Sequence, residues 1–418
     1  MGEARRSGLK ATVSHIIQEE AGRRGKHIMT KQHHVRSARR LLAVLGLGVI
    51  IAQPASAEEP YKIGAMLDVT GGASFLGKPE QNAVMLAVDE GNQAGGIRGR
   101  KIELMFEDTK STETDTVLAA RKLINQSKVL ALIGPSRTGG AMAAIPIVNE
   151  AEVALLCPVS GIGVVQPIVE RKWVFRPGQG GDLSVAKVLD YAKRAGWKKL
   201  GILYSADAYG EDGRDNLRKL APGVGVSLDR EESFPANSTD LKSQLAKLKS
   251  AGVDAIFMHG LGAPSVIVYK NARELGLATP IISGHGQANS AFRDAVGDAV
   301  IGQPIVGAPV LVWNELPNTH PQKKAAEAFV TKYRARYGTA PDMFAGIAYD
   351  SANMVLQAIR ETNGDPQIRD WLENNVKNHV GITGIFNFTP QDHAGLRSDA
   401  LVMMIADKDG WRLADYEK

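Results

Sequence analysis

The chain has 418 residues, 44% hydrophobic and 23% charged, with 50 Lys and Arg against 45 Asp and Glu and a single cysteine. That length suits two domains, the apolar share excludes a disordered chain, and one cysteine excludes a disulfide framework or a multi-cysteine metal centre. The formal charge of +5 belongs to the start: residues 1–57 hold 10 basic and 3 acidic residues, leaving 40 and 42 in 58–418, so the body lacks the basic surplus a nucleic-acid partner needs.

Arg36, Arg39 and Arg40 precede an apolar run from Leu41 to Ala52, and Gln53-Pro54-Ala55-Ser56-Ala57 follows ahead of Glu58-Glu59. Basic, apolar and small residues in that order make a secretory signal with cleavage expected after Ala57. The run is short against a bilayer core of about 30 Å; a membrane anchor or buried helix is the competing reading. Met29 stands a normal signal length before Ala57, so residues 1–28 read as an upstream segment. Arg39-Arg40 is a weak twin-arginine pattern, and ordinary secretion is preferred. Cys157 is far from the cleavage site, so no lipid anchor is expected.

Strand and helix patterns then alternate. Lys62 to Leu67, Ile102 to Phe106, Val129 to Gly134 and Val153 to Cys157 read as buried strands. Helical periodicity covers Asn82 to Gly91, Thr114 to Ser127 and Gly139 to Glu150. A second series places helices at Leu183 to Ala195, Tyr209 to Leu220, Asp240 to Gly252 and Ser265 to Gly276. Its strands are Lys199 to Tyr204, Val226 to Phe234, Val253 to Met258 and Pro280 to Ser283. Short apolar strands separated by helices imply parallel sheets covered on both faces. The seam falls near Phe175 to Gly181. Longer helices are expected at Pro321 to Tyr337, Met343 to Thr362 and Gln367 to Lys377, then strands at Ile382 to Phe388 and Ala400 to Ala406, with a third candidate at Trp411 to Tyr416. The fold class is α/β, two Rossmann-like lobes joined by a multi-strand hinge. Residues 58–177 open the first lobe and 178–307 form the second. Residues 308–385 return to the first, and 386–418 complete the lobes.

No G-x-S-x-G, G-x-x-x-x-G-K-[ST] or H-E-x-x-H motif occurs. The five histidines after residue 57 (His259, His285, His320, His379, His393) have no metal-ligand spacing. Cys157 ends an apolar strand and reads as core. No catalysis, cofactor or metal is expected. A two-lobed α/β chain without a catalytic signature fits a small-molecule receptor, with its ligand beyond the carboxyl ends of the strands.

The opening Ile63-Gly-Ala-Met-Leu-Asp-Val-Thr-Gly71 with Phe75-Leu76-Gly77, then Leu132-Ile-Gly-Pro-Ser136, Cys157-Pro158 and Ala206-Asp-Ala-Tyr-Gly210, resemble in that order the type I periplasmic binding proteins. Within them the chain is similar to the branched-chain amino acid (Leu/Ile/Val) receptors of ABC transporters. Arg171-Lys-Trp-Val-Phe175, Gly284-His285-Gly286 and Thr389-Pro-Gln-Asp-His393 resemble the branch for aromatic or keto carboxylates. The resemblance implies a monomeric periplasmic receptor that closes two lobes on a small carboxylate and passes it to an inner-membrane permease. A sensing subunit for a signalling receptor is the alternative, and a branched-chain-type amino acid is the alternative ligand.

The resemblance also implies a site. Thr138, with Ser136 beside it, matches the hydroxyl that holds the ligand carboxylate. The helix expected there would present free N–H groups to an anion, although either residue could simply cap it. Val159, Ser160 and Gly161 match the second ligand loop. The family's usual Thr falls on Gly161, which leaves Ser160 to supply the hydroxyl or the segment to be an ordinary turn. Tyr209 matches an aromatic facing the cleft, and Phe75, Leu76 and Phe344 match the apolar wall, with core packing as the other reading of each aromatic. His285 stands where related amino-acid receptors carry an acid for the ligand ammonium. It could instead donate to a carboxylate, keto or hydroxyl oxygen, unless Asp68 or Asp350 replaces the missing acid.

Overall fold

The alternation of apolar runs with amphipathic stretches produces two sheets. The computed structural model describes residues 58–365 and 367–418; the upstream segment and signal expected in 1–57 lie outside the described residues. In the first sheet β1 (Tyr61–Leu67), β2 (Ile102–Asp108), β3 (Ala131–Ile133), β4 (Ala154–Leu156) and β5 (Val174–Phe175) lie in the order β2-β1-β3-β4-β5, every pair parallel. The central strands are almost wholly buried, as helices on both faces require. Helices α1 (Ser74–Gln93), α2 (Glu113–Asn125) and α3 (Thr138–Ala151) follow β1, β2 and β3. Cys157 is fully buried in the core between this sheet, α2 and α3.

Helix α1 begins eight residues before the expected Asn82. Gly77 and Pro79 look like breakers, yet both fit. Pro79 lies in the second turn, where only one helical bond is lost. A Cβ at Gly77 would come within 2.3 Å of the Asp68 backbone, so the glycine lets this turn press against the end of β1.

The second lobe carries α4 (Gly181–Arg194), β6 (Lys199–Ser205), α5 (Ala208–Leu220), β7 (Ser227–Phe234), α6 (Lys242–Ser250), β8 (Ala255–His259), α7 (Ala263–Glu274), β9 (Ile281–Ser283), α8 (Ser290–Val296) and β10 (Pro304–Gly307). After α9 (Lys323–Tyr337), α10 (Met343–Thr362), α11 (Ile368–Asn375) and the two-residue strands β11 (His379–Val380) and β12 (Ile385–Phe386) come β13 (Val402–Asp407) and β14 (Gly410–Leu413). The second sheet has the order β14-β13-β10-β9-β8-β6-β7. Strands β6 to β10 are parallel, while β13 and β14 add antiparallel at the β10 edge. Helix α8 and β10 were not legible in the sequence, because Gly297, Gly302 and Pro304 punctuate that stretch.

The chain crosses between the sheets three times: at 176–180 after β5, from Ala308 after β10, and within 389–401 before β13. Helix α10 returns to pack along α1 and against β3; 14 of its 20 residues are buried, more than a single apolar stripe provides. The strand expected from Ile382 to Phe388 shrinks to the β11–β12 pairing, because the Asp350 carboxylate takes the amides of Ile382 and Thr383 at 2.7 and 2.9 Å. Residues 386–388 stay with the first lobe, where Phe388 N–H donates to the Val376 carbonyl. The third crossing is tied to the first: Arg176 N–H donates to the His393 carbonyl, and the His393 ring stacks on Phe175 at 4.3 Å. Among the described residues no helix is long and apolar enough to cross a membrane, and no group of His, Cys, Asp and Glu could hold a metal ion.

Candidate functional site

The carboxyl ends of β3 and β4 face those of β6, β8 and β9 across a small cavity of 30 Å³. The first lobe brings Ser136, Arg137 and Thr138 at the start of α3, Val159 and Ser160 after β4, Leu76 from α1, and Phe344 and Ile347 from α10. The second lobe brings Tyr209 from α5 with Leu261, His285 and Gly286. Gly178 and Gln179 enter from the first crossing.

Thr138, Ser136, Val159, Ser160, Tyr209, His285, Leu76 and Phe344 are therefore brought together. Two candidates are not on the cavity wall. Phe75 packs half-buried against the core. Gly161 lies behind Thr138, its N–H donating to Thr138 Oγ1 at 3.3 Å. A Cβ there would stand 2.5 Å from Thr138 Cγ2, so the glycine is what lets the two loops touch.

The hydroxyls divide into occupied and free. Ser136 Oγ accepts from Asp68 N–H at 3.0 Å and donates to Glu80, so its proton is committed inside the first lobe. Glu80 is fully buried, and burial holds its carboxyl well above the usual range. Thr138 Oγ1 accepts one bond and keeps its own proton to donate. Ser160 Oγ is buried without a partner. The N–H groups of Thr138, Gly139 and Gly140 begin α3, whose N-cap makes no side-chain bond, so the end of the helix is open to an acceptor.

His285 is 4% exposed and its Nδ1 has no partner. Burial, with the charge of Arg176 added, pushes its pKa down to about 3, so the imidazole is neutral at neutral pH. Tyr209 positions this end of the cleft. Its hydroxyl oxygen accepts from Gly286 N–H at 3.1 Å, and its ring stacks on His259 at 4.2 Å and meets the edge of His285 at 5.6 Å. His259 is fully buried with neither ring nitrogen bonded, and burial holds it well below its ordinary value.

Charge is distributed one-sidedly. Among the described residues Arg137 is the only charged one on the wall, and no carboxylate lines it. Arg137 pairs with Asp68 at 3.0 Å and Glu113 at 3.3 Å, leaving Nη2 buried without a partner. Behind Ser160, the fully buried Arg176 donates to the Ser160 carbonyl, with Nε unpaired. Neither candidate for a replacement acid faces the cavity. Asp68 is taken by Thr109 and Arg137, and Asp350 by Ile382 and Thr383. Asp212 of α5 reaches across to the Ile162 N–H at 3.1 Å, fastening the lobes at the rim.

Sequence reasoning missed Arg137, Gln179, Leu261 and Ile347 on the wall, and Arg176 and His259 behind it. Arg137 lies inside the loop that carried the Thr138 expectation and was within reach. The others sit in a crossing segment, in loops or in apolar patterns that look like ordinary core.

A family model described as periplasmic binding protein matches residues 60–410. The chain is 25% identical over 336 residues to the Leu/Ile/Val-binding protein homolog 7 of Brucella suis, covering 77% of this chain and 82% of that one. An extracellular ligand-binding receptor of Rhodopseudomonas palustris HaA2 superposes with a TM-score of 0.79 at 28% identity, over 85% of this chain and 100% of that one. The branched-chain amino acid transporter substrate-binding protein LivJ of Streptococcus pneumoniae, in complex with isoleucine, gives a TM-score of 0.73 at 26% identity over 85% and 99%. With two α/β lobes, three crossings and a cleft between them, and with the family model spanning nearly all of the described chain, this protein belongs to the type I periplasmic binding protein family.

Proposed function

We propose that this protein is the extracytoplasmic receptor of an ABC importer and captures a small carboxylate that carries no ammonium group, an aromatic or keto acid. The observation that carries this is the polarity of the cleft. Thr138 Oγ1, Ser160 Oγ, the open end of α3 and Arg137 Nη2 offer donors, while among the described residues no carboxylate lines the wall. A buried α-ammonium would be left uncompensated there, at a cost of several kcal/mol. A carboxylate finds donors at the α3 end, and a keto or hydroxyl oxygen can face His285. Leu76, Tyr209, Leu261, Phe344 and Ile347 supply the apolar remainder.

The receptor works by hinge motion. A benzene-sized guest occupies a cavity of about 150 Å³, well above the 30 Å³ enclosed here, so the lobes part about the three crossings to admit it and close again. It acts as a monomer and presents the closed form to an inner-membrane permease. No covalent step is required.

The test is a melting-temperature panel on protein stripped of ligand by unfolding and refolding, with Leu, Ile, Val, benzoate, hydroxybenzoates, phenylpyruvate and benzoylformate. A ligand that binds only the folded state raises the melting temperature. Shifts with the acids alone are expected. Shifts with the amino acids alone overturn the reading.

A further inference from the structure

A cavity ten times the volume of the cleft lies elsewhere, among the described residues. It measures 300 Å³, within the range of about 300–1,000 Å³ typical of small-molecule sites, and shares no wall residue with the cleft. It opens beside the second crossing. The second lobe contributes Arg293 of α8 and the β13–β14 turn with Asp409 and Trp411. The crossing contributes Trp313, α9 contributes Arg334, and Asp342 precedes α10.

The charges on this wall are unusual in being mostly unpaired. Arg334 makes no ion pair among the described residues, and neither does Asp409 or Asp342. Asp342 is 9% exposed, and one carboxylate oxygen takes the Ala345 N–H at 2.9 Å as the cap of α10. Burial raises its carboxyl to about 7, as expected of a buried acid without a cation. Arg293 is spoken for by Asp294 at 2.9 Å and lies 5.9 Å from the Trp411 ring. A purely anionic ligand would face Asp342 and Asp409 uncompensated, and a purely cationic one would face both arginines. A molecule carrying both charges on a flat apolar body meets Arg334 with its anion, the acids with its cation and the two indoles with its ring.

We propose that this hinge-side cavity is a second ligand site, which takes a small zwitterion with an aromatic side chain, of the aromatic α-amino acid class. It is independent of the ligand class in the cleft.

The test is titration of the purified protein with L-phenylalanine, followed by calorimetry and by intrinsic fluorescence from Trp313 and Trp411. 3-Phenylpropionate, which lacks the ammonium, and 2-phenylethylamine, which lacks the carboxylate, serve as comparisons. Arg334→Gln and Asp342→Asn are expected to weaken L-phenylalanine binding tenfold or more, the loss of one charged hydrogen bond. Asparagine caps a helix about as well as aspartate, so Asp342→Asn keeps α10. The cleft variant Thr138→Val is expected to change this binding by less than twofold, and each analogue to bind at least tenfold more weakly. Absence of L-phenylalanine binding at millimolar concentration overturns the proposal. So does a loss with Thr138→Val as large as with Arg334→Gln, or equal binding of either analogue. Because the cleft variant is read separately, failure here is distinguishable from failure of the cleft assignment.

Discussion

Replacing His285 with glutamine tests whether the cleft holds a neutral, desolvated imidazole. In the folded protein His285 titrates at about 3, against about 6.5 in an unfolded chain. A group whose folded pKa is depressed contributes its stability in full above the unfolded value and loses it as the pH falls toward the folded value. Between pH 6.5 and 5 the unfolded chain takes up the proton and the folded protein does not, which is 1.5 pH units at about 1.36 kcal/mol each, or roughly 2 kcal/mol. Wild-type protein alone hides this. Asp342 and Asp350 have folded values of about 7 and about 6, so they lose stability as the pH rises through those values and regain it on acidification. Glutamine removes only the imidazole, leaving His259 and the acids common to both proteins. Urea unfolding at pH 7, 6 and 5 is therefore expected to show the stability of wild type relative to His285→Gln falling by about 2 kcal/mol between pH 7 and 5. A difference constant within 0.5 kcal/mol (about the scatter of additive estimates) would refute the burial argument.

The remaining predictions concern neighbours of the cleft. Tyr209→Phe leaves the Gly286 N–H without its acceptor and is expected to lower stability by about 1–3 kcal/mol, seen as a lower urea midpoint with an unchanged slope. Gly161→Thr drives a Cβ to 2.5 Å from Thr138 Cγ2; it is expected to cost about 1–3 kcal/mol and to reduce the ligand-induced melting shift, because the two loops are forced apart. Glu80→Gln replaces an acid that must keep its proton when folded. Its raised carboxyl loses stability as the pH climbs above about 4.5, so the variant is expected to be the more stable protein at pH 8 and to show a flatter pH profile. Thr138→Val removes a free hydroxyl donor and is expected to weaken carboxylate binding about tenfold; it also leaves the Gly161 N–H without its acceptor, so the unfolding midpoint of the unliganded protein is expected to fall as with Tyr209→Phe.

Much of the architecture was legible because its determinants are local. Runs such as Ile63 to Leu67 and Ala255 to Met258 are apolar on both faces, and only a sheet covered by helices on both sides buries them so. The Thr138 loop could be located because a helix start after a buried strand has a sequence signature. The antiparallel direction of β13 and β14 has none: a short apolar run such as Val402 to Ala406 reads the same in either sense, and pairing with β10 decides it. The two-residue β11 and β12 arise because a carboxylate 32 residues away, Asp350, takes the amide of Ile382.

From periodicity and turn chemistry over a few residues the sequence determined the α/β class and the helix start at Thr138, whereas the second cleft loop, Val159 to Gly161, came from the family resemblance. Only the tertiary structure decided that Asp68 and Asp350 turn away from the cleft, that Ser136 is committed to Glu80, and that Tyr209 rests on His259. It alone assembled the cavity at the hinge, from residues between Ser290 and Trp411. Those outcomes depend on which hydrogen-bond partner each buried polar group finds, and the partners lie tens to hundreds of residues apart in the chain.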